Sequence, residues 1–163
     1  MLPPGAPPAA AMHRVGEDGS GTGPFATPGA AAGPEGAGAP KQVVVVDDDH
    51  ETRMLVGELL ALEGYQVIPC GRGELAYELI RRGVPDLAIV DLMLGGSEEG
   101  WLILTLLRGD PATAHVPIIL CSANVGFLRR RGCVALEKPF DRDGLVGAIE
   151  EAFALQSARD CGA

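Results

Sequence analysis

Four short apolar runs in this 163-residue chain each lead into a polar group capable of chemistry. Val43 to Val46 stops at Asp47, Asp48 and Asp49; Leu87 to Val90 stops at Asp91; Ile118 to Cys121 stops at Ser122; Cys133 to Leu136 leads to Lys138-Pro139-Phe140. Three carboxylates brought within a few ångströms repel each other, so Asp47, Asp48 and Asp91 are tolerable together only when a cation neutralises them. All-oxygen ligands favour Mg²⁺, which keeps waters and takes phosphate oxygens as further ligands. A carboxylate attacking a phosphoryl group needs charge neutralisation and in-line geometry more than a proton-accepting base. Lys138 would hold one phosphoryl oxygen as a point charge, and the Ser122 hydroxyl would donate to another. Each residue alone has a plainer reading: Asp48 or Asp49 as a helix cap, Asp91 as a turn residue, Ser122 as a loop hydroxyl, Lys138 as a solvated charge. The combination at four strand ends is what points to phosphoryl chemistry.

The elements that must position these groups alternate between β-branched runs and helical periods, the pattern of a parallel sheet covered by helices. From Lys41 the expected order is a strand at 43–46 and a helix at 50–63 with Met54, Leu55, Leu59 and Leu62 at helical spacing. A second strand at 66–69 and a helix at 73–82 with Leu75, Leu79 and Ile80 inward come next. A strand at 87–90, a helix at 101–108 and a strand at 118–121 follow, then a short helix-like stretch to Arg131, a strand at 133–136 and a final helix at 143–155. Five such units make a doubly wound α/β sheet with right-handed crossovers, and ligands gather at the edge where the strand C-termini meet.

Residues 1–40 hold 9 Gly, 8 Pro and 10 Ala and read as a disordered leader, or as sequence preceding a true start at Met12. Residues 41–155 are expected to form the folded domain and 156–163 a short tail, with no output domain expected after Leu155. A net charge of -9 and scattered Lys and Arg, apart from Arg129 to Arg131, leave no basic footprint for nucleic acid. No apolar run reaches the ~18 residues of a membrane span, and no signal-peptide pattern opens the chain, so a cytoplasmic protein is expected. Cys70, Cys121, Cys133 and Cys161 form no C-x-x-C pair and read as reduced thiols.

Through Val45-Val46-Asp47-Asp48-Asp49, Ile89-Val90-Asp91-Leu92-Met93, Pro117 to Ala123 and Lys138-Pro139-Phe140, the chain resembles the receiver domains of two-component response regulators from Lys41 to about Leu155. The resemblance implies a flavodoxin-like sheet of strand order 2-1-3-4-5 and Asp91 as phosphoacceptor. It implies Asp48, Asp91 and the Met93 backbone carbonyl as direct Mg²⁺ ligands, Asp47 acting through water, and Ser122 and Lys138 on the phosphoryl group. It also implies a cis Lys138–Pro139 bond, a sensor histidine kinase or phosphotransfer protein as donor, and a downstream protein target. Such a domain is not an enzyme toward an outside substrate, although it assists its own phosphorylation and dephosphorylation.

Departures from the family pattern bear on output. Ala135 stands where an aromatic switch residue is usual, and the interval from Ser122 to Lys138 is short enough to truncate or abolish the fourth helix. The loop from Leu94 to Gly100 lacks the usual proline and is expected to be more mobile. The third helix is apolar nearly all round, so Leu102 and Leu106 are either tolerated surface leucines or a homodimer or partner contact. The rival to a phosphoacceptor is a pseudo-receiver acting as a phosphorylation-independent interaction module, which Ala135 and the missing fourth helix favour and the intact Asp, Ser and Lys set opposes. An aspartate-nucleophile phosphatase would want a second acid near Asp91, where Leu92, Met93 and Leu94 stand instead, and a flavin carrier would want more than seven aromatic residues.

Overall fold

A computed structural model describes residues 39–131 and 133–161 of the chain. The expected leader, apart from its last two residues, lies outside the described residues. Five parallel strands, β1 (Gln42–Val46), β2 (Gln66–Cys70), β3 (Leu87–Asp91), β4 (Ile118–Ser122) and β5 (Val134–Glu137), form one sheet in the order β2-β1-β3-β4-β5. The helices between them are α1 (His50–Leu62), α2 (Gly73–Gly83), α3 (Glu99–Gly109), α4 (Gly126–Arg130) and α5 (Arg142–Cys161). The expected class, order and shortened fourth helix are all present.

The inner strands β1, β3 and β4 are apolar on both faces because each face has its own core. On one side Val44, Val46, Ala88, Val90, Ile118 and Leu120 pack with Ala76, Ile80, Ile103, Leu107 and Leu128. On the other Val43, Val45, Leu87, Ile89, Ile119 and Cys121 pack with Val56, Leu60, Leu145, Ile149 and Ala152.

Three helical expectations differ from the structure. In α1 the buried residues are Val56 and Leu60, with Leu59 partly buried, whereas Met54, Leu55 and Leu62 are exposed. The sequence holds two apolar stripes on this helix, and the sheet takes the one with the smaller side chains: an added Cβ at Gly57 would lie within ordinary contact of Val67. In α2 the buried pair is Ala76 and Ile80, and Leu75 is exposed, because Ala76 lets the helix approach the sheet closely. Helix α5 does not end near Leu155 but runs on to Cys161, since residues 156–161 contain no glycine or proline and are braced by Gln156 to Asp160 and Ser157 to the Phe153 carbonyl.

Candidate functional site

The parallel register carries four strand ends to one edge of the sheet. Val46 pairs with Val90, Asp91 with Cys121 and Ser122 with Glu137, so Asp47, Asp91, Ser122 and Lys138 follow one another across neighbouring strands. The pairing continues past β5, where the Lys138 N–H donates to the Ser122 carbonyl at 2.9 Å. The Lys138–Pro139 peptide bond is cis.

Lys138 draws two of the carboxylates together. Its Nζ donates to Asp47 Oδ2 at 2.7 Å and to Asp91 Oδ2 at 2.6 Å, and both aspartates are buried. Burial works against the charge on Lys138, but its hydrogen bonds to Asp47 and Asp91 and their charges outweigh this and hold its pKa above the ordinary lysine value. One oxygen of each of the three carboxylates is held by a main-chain N–H group of the loops. Asp49 N–H donates to Asp47 Oδ1 at 2.9 Å, Met93 N–H to Asp91 Oδ1 at 3.1 Å, and Gly95 N–H to Asp48 Oδ2 at 3.0 Å. Thus Asp48 is exposed yet fixed across the edge to the loop after β3.

Of the two candidate caps for α1, Asp49 is the one used: its side chain accepts from the Glu51 N–H and the Thr52 hydroxyl. These two contacts, Thr52 first, lower the Asp49 pKa. Asp48 is thereby left free of helix capping and turned to the site. Ser122 is buried beside the lysine, its Oγ accepting from the Asn124 N–H at 3.2 Å. The Met93 main chain lies against the Asp91 carboxylate, while its side chain is exposed. The loop expected to be mobile forms a hydrogen-bonded turn, with Leu94 and Ser97 exchanging both main-chain bonds and Gly95 and Gly96 at positive φ.

A carboxylate oxygen from each of Asp47, Asp48 and Asp91 lies within 4.8 Å of the others. This all-oxygen set fits a small hard cation, which holds ligand oxygens close together and fills its remaining positions with water. Lys138 supplies only one positive charge to the three carboxylates, so the site keeps a net negative charge for a divalent ion to offset.

Two supporting residues escaped the sequence reading. Gly100, in the first turn of α3, packs so closely on the β3 end that an added Cβ would overlap the Asp91 carbonyl oxygen and the Leu92 backbone. In the sequence it falls in the expected loop, one residue before the helix expected at 101–108, so its place inside α3, where a glycine costs stability and needs a packing reason, is not marked. Arg53 donates from Nη1 to the Asp47 carbonyl at 2.6 Å and lies against Gly71, where a Cβ would crowd the guanidinium. Nothing in the spacing of Arg53 announces that role.

Comparison with known proteins gives this arrangement a family. The sequence profile described as response regulator receiver domain matches residues 43–150. Sporulation initiation phosphotransferase F of Bacillus subtilis is 25% identical over 121 residues, 72% of this chain and 97% of that protein. The polar-differentiation response regulator DivK of Brucella anthropi is 30% identical over 117 residues, 68% of this chain and 94% of that protein. Response regulator PleD of Caulobacter vibrioides is 32% identical over 82 residues, only 18% of its length. Among solved structures, the receiver domain of sensor histidine kinase PA1611 from Pseudomonas aeruginosa, with a magnesium ion coordinated in its active-site cleft, superposes with a TM-score of 0.62 at 24% identity, covering 71% of this chain and 99% of that one. Chemotaxis response regulator CheY4 of Vibrio cholerae gives a TM-score of 0.63 at 21% identity over 69% and 98% of the two chains. At those identities the two structures speak to the fold, and the profile and DivK to descent. The chain belongs to the response regulator receiver domain family, whose members serve phosphorelay signalling.

Proposed function

We propose that Asp91 is the phosphoacceptor and that the protein passes a signal on through contacts with other proteins. One observation carries the reading: Lys138 Nζ bridges Asp47 and Asp91 at 2.7 and 2.6 Å while Asp48 closes the third side. An Asp91 carboxylate oxygen forms the new P–O bond as the P–N bond of a donor phosphohistidine, or the P–O bond of a small acyl phosphate, breaks. Lys138 then exchanges its Asp91 contact for a phosphoryl oxygen, and the Ser122 hydroxyl turns from the Asn124 N–H to donate to another. Asp48, Asp91 and the Met93 carbonyl would hold Mg²⁺ directly and Asp47 through water. When bound there, the ion would neutralise the carboxylates and the phosphoryl oxygens; a magnesium ion is coordinated in the active-site cleft of the PA1611 receiver.

The expected donor is a sensor histidine kinase or a phosphotransfer protein in the cytoplasm. Met54 and Leu55 lie exposed in α1, one to two turns from Asp49, and offer such a donor an apolar seat beside the site. Leu102 and Leu106, exposed one turn apart on α3, are the candidate surface for a homodimer or a downstream target. Incubation with Mg²⁺ and acetyl phosphate or beryllofluoride, followed by intact mass and Trp101 fluorescence, tests the acceptor. A Mg²⁺-dependent adduct in the parent and none in Asp91→Asn is the expected result. No adduct and no Mg²⁺ response in the parent would overturn it and leave an interaction module.

A further inference from the structure

At the opposite end of the strands from Asp91 lies a second concavity. It is a cavity of about 270 Å³ at the sheet edge where β5 begins, with Pro117, Ile118 and Val134 as floor and Leu104, Ala152 and Leu155 among its walls. Ile118 belongs to one face's core and Val134 to the other's, so the cleft wraps round the strand edge. It is open because α4, which ends at Arg130 after five residues, is too short to cover this end of β4 and β5.

Arg108, Arg131 and Arg159 are among its lining residues, and no Asp or Glu is. None of the three is ion-paired to a carboxylate among the described residues. That leaves a like-charged cluster in a chain of net charge -9, where carboxylates outnumber arginines and lysines by 22 to 13. Two of the groups are also held in place. Arg108 Nη1 donates to the carbonyls of Ala114 and Val116 at 2.7 and 2.8 Å, both bonds from one nitrogen. The Arg131 guanidinium sits 4.6 Å from the Phe127 ring centre and 5.3 Å from that of Trp101. Burial first, and then the like charge of Arg159, lower the Arg108 pKa, so the pair feel each other across the cleft.

We propose that this cleft binds a small organic phosphate, a monoester whose anionic head engages the three arginines and whose apolar or planar body lies on Leu104, Val134 and Leu155. A phosphate dianion offers three acceptor oxygens and two charges to the three forks, a closer match than a single carboxylate. The cavity is near the lower size limit of small-molecule sites, about 300 Å³. A protein interface would need about 800 Å² of surface per partner, so an acidic polypeptide is the less fitting occupant.

Phenyl phosphate is the probe. Titration into the full-length protein, with Mg²⁺ chelated and in an Asp91→Asn background to remove the edge site, is followed by calorimetry and by amide shifts of Ile118 and Cys133. Saturable one-site binding is expected, tighter for phenyl phosphate than for inorganic phosphate. It should weaken roughly tenfold in Arg159→Ala and in Arg131→Ala, the loss of one charge-assisted contact. Both side chains are exposed, and unchanged thermal melting shows that the variants fold. No saturation at millimolar phenyl phosphate, equal affinity in the arginine variants, equal affinity for inorganic phosphate, or binding of polyglutamate alone would each overturn the proposal.

Discussion

Lys138 is the residue on which the site's electrostatics turn. It is the single cation between Asp47 and Asp91, and replacing it leaves two buried carboxylates facing each other. Lys138→Met keeps the stem and removes the charge. It is expected to destabilise the fold by about 1–3 kcal/mol, the usual consequence of stripping one partner from a largely buried pair, and at the same time to tighten Mg²⁺ binding, because the divalent ion then meets an uncompensated charge. Thermal melts with and without Mg²⁺ separate the two effects; a variant that loses Mg²⁺ affinity would refute the electrostatic account. Gly100 sets the position of Asp91 in another way, through contact rather than charge. Gly100→Ala would force α3 off the β3 end, at about 1–3 kcal/mol for overpacking. A melting temperature equal to the parent's would show that the close approach is not needed.

Among the elements, α2 and α3 are tied by a polar clamp at their ends. Asp110 receives the Ala112 N–H, the Tyr77 hydroxyl at 2.9 Å and the Arg81 Nε at 3.2 Å. Those bonds, the Ala112 N–H foremost, lower the Asp110 pKa, and the same bond to Asp110 raises that of Tyr77. With the carboxyl lowered, its stabilisation is complete above the unfolded value of about 3.9 and is lost as pH falls through the lower folded value. With the phenol raised, its stabilisation is complete below the unfolded value of about 10 and is lost as pH rises through the folded value. Asp110→Asn should therefore lower the melting temperature at neutral pH and flatten its fall at both extremes; an unchanged pH profile would exclude the clamp. The α1 face makes a separate prediction: Met54→Asp should slow transfer from a phosphohistidine donor while leaving acetyl phosphate labelling intact. Equal loss of both would mean that the substitution damages the site itself. The strand ends were legible in the sequence because a buried parallel strand is apolar on both faces, and its first polar residue marks the edge, as Asp47, Asp91 and Ser122 do. Helix faces were less so, since Met54, Leu55 and Leu62 compete with Val56 and Leu60 and only the three-dimensional fit to the sheet chooses between them. Arg53 and Gly100 were not legible either: their partners, the Asp47 carbonyl and the Asp91 and Leu92 backbone, are main-chain atoms, which no pattern of side chains marks.

Across the whole molecule, the two cores and the acidic edge pull in opposite directions. The sheet's apolar faces hold β1 and β3 side by side, and in doing so drive Asp47, Asp48 and Asp91 to within 4.8 Å of one another in a protein that is already strongly negative. That repulsion is present only in the folded state, so a cation that relieves it binds the folded state selectively and stabilises it by mass action. At a Mg²⁺ concentration a hundred times its dissociation constant the gain is about 2.7 kcal/mol, enough to raise the melting temperature by several degrees. Asp48→Asn should remove most of that rise, whereas Asp143→Asn, at a side chain 93% exposed and outside the carboxylate cluster, should leave it intact. The control is NaCl at matched ionic strength. A rise of equal size with NaCl would mean that screening of the overall charge, rather than occupation of the aspartate edge, accounts for the stabilisation.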